Sequence, residues 1–213
     1  MIGSLQLKVC GITRADDAAA AVRAGADALG FNLYEKSPRY VSLPDYRALA
    51  ASLPAAPRVA IMVEPSPEAL GEAAAAGFDL FQVHFRHDTP PARVRAWSAA
   101  VGTGKLWLAP KLPPETDFNP DWLPLADSFL IDTFSRDLFG GTGKTGDWEK
   151  FSQLQAAHPD KRWILSGGLS PGNIAEAVRR SGARSVDVNS GVESSPGKKD
   201  PAKLRALVAA LGG

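Results

Sequence analysis

Residue types that mark several protein classes are scarce in this chain. Its 213 residues include one cysteine and three histidines, and the formal net charge is +1. A single cysteine excludes a disulfide within the chain, and one cysteine with three histidines does not make a metal-ligand cluster. A charge this close to zero gives no electrostatic footprint for nucleic acid or an anionic membrane. We therefore expect a local site, rather than a charged surface, to carry the function.

Long apolar runs are also missing. No segment reaches the roughly 18 apolar residues that span a bilayer, and residues 1–8 lack the apolar core of a signal peptide. Hydrophobic residues make up 45% and charged residues 22% of the chain, the balance of a soluble globular protein. We expect a cytoplasmic protein with one domain, residues 1–213, and no membrane or nucleic-acid partner.

Short β-type runs alternate with helical runs along the chain. Runs rich in Val, Ile, Leu or Phe predict strands at 5–10, 26–33, 58–63, 78–84, 105–111, 128–132, 162–166 and 185–189. Helices are predicted at about 16–24, from about 44, at 67–76 and 91–100, from about 147, and at 171–181 and 201–211, with a weaker proline-broken segment around Trp122. Repeated strand–helix units indicate a parallel sheet, and eight of them predict a single closed (β/α)8 barrel, a TIM barrel.

The main rival fold is an open doubly wound sheet. That fold usually has a G-x-G-x-x-G turn after its first strand, whereas this chain reads Cys10-Gly11-Ile12-Thr13 there. The sequence therefore favours the barrel.

Polar residues gather where the predicted strands end, and barrel enzymes hold their sites on that side. Residues two apart on a strand share a face, so Lys8 points the same way as Cys10. An inward lysine needs an anion nearby, and we predict that Lys8 pairs with Asp132 or Asp187. The polar residues at these strand ends and loops are Cys10, Arg39, Gln82, His84, Asp132, Asp187 and Asn189.

Two glycine-containing turns predict a phosphate site. Ser166-Gly167-Gly168 follows the seventh strand, and Asn189-Ser190-Gly191 follows the eighth. Glycines let backbone N–H groups approach an anion, and barrels frequently hold phosphate on these two loops. Either turn alone is more often only a tight turn, but together they predict phosphate contacts at Gly167, Gly168, Ser190 and Gly191.

The sixth loop is also rich in glycine. Its Gly143-Lys144-Thr145 is similar to the end of a nucleotide-binding P-loop, but Leu138 stands where that motif needs glycine and Gly146 precedes the next helix. The glycines fit a mobile lid over a site and an ordinary flexible loop equally well.

The motifs in their order along the chain resemble one family, the phosphoribosylanthranilate isomerases, over nearly the whole length. They are Lys8-Val9-Cys10-Gly11-Ile12-Thr13, Ser37-Pro38-Arg39-Tyr40-Val41, Gln82-Val83-His84, Asp132, Gly140-Gly141-Thr142-Gly143-Lys144-Thr145, Ser166-Gly167-Gly168-Leu169, Val186-Asp187-Val188 and Ser190-Gly191-Val192-Glu193. The resemblance implies a TIM barrel that catalyses an Amadori rearrangement of N-(5-phosphoribosyl)anthranilate in tryptophan biosynthesis.

The resemblance also implies roles for individual residues. Cys10 is expected to be the general base that removes the C2′ proton, and Asp132 the general acid that protonates the ring oxygen. Arg39 is expected near the anthranilate carboxylate, and the phosphate on the loops after the seventh and eighth strands. No metal or organic cofactor is implied, and the partner is a small phosphorylated substrate. Further substrate-binding residues are expected at His84, Gly141 and Asp187.

These roles set demands on protonation. A free cysteine has a pKa near ~8.5, so the site must stabilise the Cys10 thiolate, which a nearby Lys8 would favour. The acid must be protonated at neutral pH, well above the ordinary aspartic acid pKa of ~3.9.

Four residues depart from the family pattern: Glu64, Phe85, Gly146 and Asn189. Glu64 ends the third strand and Phe85 follows His84, so these two could narrow or recharge the substrate pocket.

Three other functions compete with this interpretation. The sugar isomerase of histidine synthesis performs the same rearrangement, but it has an aspartate where this chain has Cys10. The indole-forming synthase of tryptophan synthesis uses lysines on early strands, and residues 59–63 contain none. The third alternative is a barrel that only binds a phosphorylated ligand, because a motif does not prove turnover. Taken alone, Arg39 fits a solvated loop residue and His84 a structural histidine. We also expect a monomer, since no apolar stripe stands out beyond what helix packing requires.

Overall fold

The eight predicted strands form a closed parallel barrel in a computed structural model, which describes residues 5–113, 115–132 and 147–212. The strands are β1 (Gln6–Val9), β2 (Ala28–Asn32), β3 (Arg58–Val63), β4 (Leu80–Arg86), β5 (Leu106–Lys111), β6 (Ser128–Ile131), β7 (Arg162–Leu165) and β8 (Ser185–Val188). Strand β1 pairs with both β2 and β8, which closes the ring. The predicted TIM barrel is therefore confirmed.

Helices connect the strands. They are α1 (Ala15–Arg23), α2 (Leu43–Ala50), α3 (Pro67–Ala75), α4 (Pro91–Val101), α5 (Trp148–Ala157), α6 (Ile174–Ser181) and α7 (Pro201–Ala210). The segment around Trp122 forms a 3₁₀ helix, Pro120–Leu125, with Pro124 inside it. Proline has no N–H to donate, so a regular α-helix is disfavoured there. Among the described residues, no helix has the length and apolar character needed to cross a membrane.

A short hairpin before α7 was not predicted. After a 3₁₀ turn at Ser190–Val192, strand β9 (Glu193–Ser195) pairs antiparallel with β10 (Lys198–Lys199). The sequence Ser195-Pro196-Gly197 between them is a turn signal that could have revealed it. The hairpin places two charged residues, Glu193 and Lys199, opposite each other.

The barrel interior combines an apolar cluster with polar side chains. Registered residues of parallel strands face the same side, so Lys8 shares its face with Ala28, and Gln82 with Trp107. Lys8, Gln82 and Asp187 are all buried. The apolar interior cluster consists of Ala28, Val59, Trp107, Ala109, Leu130 and Ile164. Because this cluster offers no hydrogen-bond partners to a charge, the buried polar groups of the interior must pair with one another.

Gly191 marks the contact between the loops that follow β7 and β8. A Cβ atom at this position would collide with the carbonyl oxygen of Leu169 and lie 2.9 Å from its carbonyl carbon. We expect Gly191→Ala to lower the free energy of unfolding by about 1–3 kcal/mol, because the loops must separate. Urea unfolding followed by circular dichroism measures this change.

Gly71 provides the matched control for that substitution. It lies inside α3, where a Cβ atom would meet nothing within 4 Å. Gly71→Ala should raise the free energy of unfolding by about 0.5–1 kcal/mol, since alanine loses less backbone entropy in a helix. Similar effects of the two substitutions would show that backbone contact at Gly191 is not what requires glycine.

Candidate active site

A cavity of about 460 Å³ lies at the carboxyl ends of the barrel strands. Cys10, Asp132, Ser166 and Asn189 line it, and each directly follows the last residue of its strand, β1, β6, β7 or β8. The barrel closure thus brings together residues that are far apart in the chain. The predicted site residues that line the cavity are Cys10, Arg39, His84, Asp132, Gly167, Gly168, Asp187 and Ser190.

Two predicted residues stand apart from this group. Gly191 is not among the lining residues and instead packs against Leu169, so its contact with phosphate stays a prediction. Gly141 lies outside the described residues, together with the rest of the glycine-rich sixth loop and Gly146. In the described part of the chain, no group of three or more His, Cys, Asp or Glu side chains is arranged to hold a metal ion.

The cavity wall contains further residues that the sequence analysis did not single out. Asn32, Ile61 and Val63 have the parity of inward-facing strand positions, which is the signal that could have identified them. Tyr34, Lys36 and Leu169 lie on loops, where no such periodicity applies.

Lys8 forms a buried ion pair below the cavity. Its Nζ donates a hydrogen bond to Oδ1 of Asp187 over 2.9 Å, and the side chains are 2% and 5% exposed. This confirms the predicted pair and selects Asp187 as the partner. Burial lowers the pKa of Lys8, but the charges of Asp187 and Cys10 outweigh it and leave that pKa raised. Lys8 is therefore a permanent cation beneath the site.

Cys10 is buried at the end of β1, where its backbone N–H donates to the carbonyl of Val188 over 2.8 Å. Burial raises the pKa of the Cys10 thiol, and the positive charges of Lys8 and Lys199 oppose that shift without cancelling it. The expected role of Cys10 as a general base requires a stabilised thiolate. The protein by itself favours the thiol, so Cys10 must lose its proton before it can act as a base.

His84 and Gln82 form a neutral hydrogen-bonded pair. The two Nε2 atoms lie 2.8 Å apart. Burial, with a smaller contribution from the charge of Lys8, lowers the pKa of His84 to about 4. Oε1 of Gln82 is buried and has no hydrogen-bond partner among the described residues. An unsatisfied buried acceptor is costly, so this amide is suited to accept a hydrogen bond from a bound molecule.

Arg39 is an ordered residue rather than a solvated loop residue. Its Nη2 and Nε donate to Oε2 of Glu193 over 2.6 and 3.1 Å, and its Nε also lies 2.9 Å from Oε1. The guanidinium side chain is 17% exposed, whereas that of Glu193 is 4% exposed. Glu193 occupies one edge of the guanidinium, while the rest of the side chain contributes to the cavity wall.

Gly11 allows the side chains of Arg39 and Asn189 to approach the backbone that follows β1. Its φ is +71°, and a Cβ atom there would lie 2.5 Å from Oδ1 of Asn189 and 2.7 Å from Cδ of Arg39. Oδ1 of Asn189 accepts a hydrogen bond from Nζ of Lys199 over 2.9 Å. Asn189, which departs from the family pattern, is thus part of the site.

Glu64 and Phe85 depart from the pattern without lining the cavity. Phe85 points to the opposite face of β4 from His84, with its ring 5.4 Å from that of Trp97. Glu64 adopts a left-handed backbone with φ of 43°, and its Oε1 accepts a hydrogen bond from the N–H of Arg86 over 3.1 Å. Neither side chain reduces the width of the cavity or adds a charge to its wall.

Comparisons with known proteins agree with this geometry. The family model described as N-(5'phosphoribosyl)anthranilate (PRA) isomerase matches residues 7–210. The chain belongs to the N-(5'-phosphoribosyl)anthranilate isomerase family. It is therefore an isomerase of tryptophan biosynthesis, which sets aside the histidine-pathway isomerase and the indole-forming synthase.

Individual members of the family are similar over almost the whole chain. The Pseudomonas fluorescens (strain Pf0-1) isomerase is 39% identical over 212 residues, which cover 99% of this chain and 100% of that protein. The Thermus thermophilus isomerase structure has a TM-score of 0.81 at 33% identity and covers 98% of each chain. An isomerase structure in complex with reduced 1-(o-carboxyphenylamino)-1-deoxyribulose 5-phosphate has a TM-score of 0.75 at 31% identity, covering 98% of this chain and 99% of that one.

The lowered pKa of His84 gives stability a specific pH dependence. A histidine in an unfolded chain binds its proton near pH ~6.5, whereas folded His84 does so only near a pKa of about 4. Its contribution to stability is therefore fully present above pH ~6.5 and is lost as the pH falls toward 4. We expect His84→Asn to reduce the loss of unfolding free energy between pH 7 and pH 5, as measured by urea unfolding. The same pH dependence in both proteins would contradict a neutral buried imidazole.

Proposed function

We propose that the cavity converts N-(5'-phosphoribosyl)anthranilate to 1-(2-carboxyphenylamino)-1-deoxyribulose 5-phosphate by an Amadori rearrangement. The observation that carries this proposal is the convergence of a thiol, a carboxyl and a guanidinium group, those of Cys10, Asp132 and Arg39, on one cavity with the Gly167-Gly168 turn. The complex of a related isomerase with a reduced phosphorylated compound of the same skeleton supports it.

The two anionic ends of the substrate fit different parts of the wall. We assign the anthranilate carboxylate to the guanidinium edge of Arg39 that Glu193 leaves, because a planar fork recognises a carboxylate through two hydrogen bonds. We assign the phosphate to the loops after β7 and β8. Gly167 and Gly168 have φ of +97° and +64°, and a glycine-rich backbone of this kind lets N–H groups approach an anion closely. Ser190 lines the same part of the cavity.

The sugar lies between these ends in the proposed complex. The unpartnered amide oxygen of Gln82 and the neutral imidazole of His84 are suited to hydrogen-bond its hydroxyl or amine groups. Asp187 keeps Lys8 in place beside Cys10. In this arrangement His84 contacts the sugar as a neutral group, and Asp187 acts on the site by pairing with Lys8.

The proposed chemistry uses Cys10 and Asp132 in opposite protonation states. Burial favours the thiol form of Cys10. Transfer of its proton to the carboxylate of Asp132, which lines the same cavity, would give a Cys10 thiolate and a neutral Asp132 carboxylic acid. Asp132 then protonates the ring oxygen as the C1′–O bond breaks and the nitrogen forms a double bond to C1′. The Cys10 thiolate removes the C2′ proton to give an enolamine. Protonation at C1′, together with loss of the 2′-hydroxyl proton, then gives the 2′-ketone of the product.

Removal of either group should reduce turnover far more than binding. We expect Cys10→Ala and Asp132→Asn each to lower kcat by about 10²–10⁴-fold with a much smaller change in KM, as is typical of general acid–base catalysis. Loss of both should cost less than the product of the single losses, because the two act as a unit. The decrease in substrate fluorescence measures turnover.

Asp127→Asn is the matched control for the acid. Asp127 precedes β6 at the other end of the strand from Asp132, and its carboxylate is 3.9 Å from Nζ of Lys161. The kcat of Asp127→Asn should equal that of the wild type. Near-native turnover by folded Cys10→Ala would place the base elsewhere, with His84 or Asp187 as the next candidates.

Arg39 should contribute to binding of the carboxylate end of the substrate and not of its phosphate end. We expect Arg39→Ala to weaken competitive inhibition by anthranilate about tenfold or more, the scale of a charge-assisted hydrogen bond, and to leave inhibition by inorganic phosphate nearly unchanged. Arg39→Lys should recover little, because an ammonium group does not form the paired contact. Equal losses for both inhibitors would indicate a folding effect instead.

The non-catalytic alternative makes a different prediction. A barrel that only binds its ligand would bind the phosphorylated compound, as measured by calorimetry, but would show no turnover in the wild type. The cytoplasmic location and the monomeric state stay predictions from the sequence.

A further inference from the structure

Glu193 lies between two cations in the wall behind the cavity. Besides Arg39, it accepts a hydrogen bond on Oε1 from Nζ of Lys199 over 2.9 Å. Burial raises the pKa of the Glu193 carboxyl, but the hydrogen bonds and charges of Arg39 and Lys199 prevail and hold that pKa below its usual value. The three groups therefore act as one buried charged cluster with a net charge of +1.

We propose that Glu193 is a positioning residue that fixes the carboxylate end of the substrate site relative to its phosphate end. It does so by holding Arg39 with one set of hydrogen bonds and Lys199 with another. This inference rests on the proposed function, because it takes the two ends of the substrate to lie where that function places them.

The first connection is direct. Glu193 contacts the Nε and Nη2 atoms of Arg39, so the plane of the guanidinium is set by the carboxylate. A guanidinium free to rotate would have to be ordered by the substrate, at the cost of side-chain entropy. Arg39 is instead aligned before a ligand arrives.

The second connection runs through Lys199 to the loop after β8. Nζ of Lys199 donates to Oδ1 of Asn189 over 2.9 Å and to its backbone oxygen over 3.3 Å. The Lys199 side chain is fully buried, so it acts on the cavity through Asn189, which lines it, rather than by touching a ligand. Asn189 directly precedes Ser190 in the proposed phosphate loop.

The hairpin holds Glu193 itself in place. Its Oε1 accepts a hydrogen bond from the N–H of Gly197 over 3.2 Å, and its backbone oxygen accepts one from Nζ of Lys203 over 2.7 Å. Opposite it, the N–H of Lys199 donates to Oδ2 of Asp17 on α1 over 3.0 Å. The carboxylate is thus anchored to the scaffold by groups that do not belong to the cavity.

Charge and geometry make opposite predictions for Glu193→Gln. The substitution adds one positive charge beside the cavity, so a purely electrostatic role predicts tighter binding of the anionic substrate and a lower KM. A positioning role predicts the reverse, because an amide cannot accept hydrogen bonds from both cations with both of its heavy atoms. We expect KM to rise about tenfold or more and kcat to fall, with weaker inhibition by both anthranilate and inorganic phosphate.

Lys199→Met separates the two connections and leaves Glu193 paired with Arg39. Inhibition by inorganic phosphate should weaken about tenfold, whereas inhibition by anthranilate should stay within twofold of the wild type. The Glu193–Arg39 pair that remains has no net charge, so Lys199→Met is expected to fold. It therefore tests the proposal even if Glu193→Gln does not fold. Equal effects on the two inhibitors, or no effect on either, would overturn it.

Glu64→Gln is the matched control. Glu64 is also an ion-paired carboxylate on a loop after a barrel strand, 3.3 Å from Nη1 of Arg93, but it does not line the cavity. Glu64→Gln should lower the free energy of unfolding without changing KM or the inhibition constants of anthranilate and phosphate. An unchanged or lower KM in folded Glu193→Gln overturns the positioning role, whereas a wild type without turnover overturns the proposed function itself.

Discussion

Lys8 and Asp187 lie opposite each other where β1 and β8 close the barrel, and their charged atoms are 2.9 Å apart. A shift of one residue in this register would turn Lys8 toward the apolar layer under the helices, where a charge is very costly. The same register places Cys10 beside the loop after β8. Breaking a buried pair by removal of one partner typically costs about 3–5 kcal/mol, so closure of the barrel and assembly of the site depend on one interaction.

Three cations at the cavity, in the part of the chain that the structure describes, have carboxylate partners. Lys8 is paired with Asp187, and Arg39 and Lys199 share Glu193. The result is a wall whose local charge is positive by one, although the whole chain carries only +1. The phosphate and the carboxylate of the proposed substrate would thus be attracted by an arrangement that the net charge of the protein does not reveal. Specific side chains at strand ends, and not a basic surface, produce this field.

Much of the fold and of the site could be predicted because it is local in the sequence. Strand ends and the alternation of faces were enough to predict Cys10, Asp132 and the inward direction of Lys8. These patterns could not select Asp187 over Asp132 as the partner of Lys8. That partner depends on the register between β1 and β8, and Lys8 and Asp187 are 179 residues apart in the chain. The role of Glu193 was missed for a similar reason, because it and Arg39 are 154 residues apart.

Two other features were missed for different physical reasons. The strands β9 and β10 have three and two residues, too few for a periodic pattern to show. The protonation of Cys10 depends on the balance between burial and the charges of Lys8, Lys199 and Asp187, and that balance exists only after the barrel has closed. Phe85 illustrates a limit of motif comparison, because a large residue beside a site residue can point into the opposite layer.

The hairpin near the end of the chain has a consequence for synthesis on the ribosome. The thiol and the lysine of β1 emerge first, but the carboxylates that partner the buried cations, Asp187 and Glu193, emerge only with the last strands. Until residue 193 has left the exit tunnel, a nascent chain carries Lys8 and Arg39 without both of their carboxylate partners, which opposes burial of these cations in an incomplete barrel. Ring closure and pairing of these cations then occur together, so a chain truncated before β8 has neither a closed barrel nor carboxylate partners for Lys8 and Arg39.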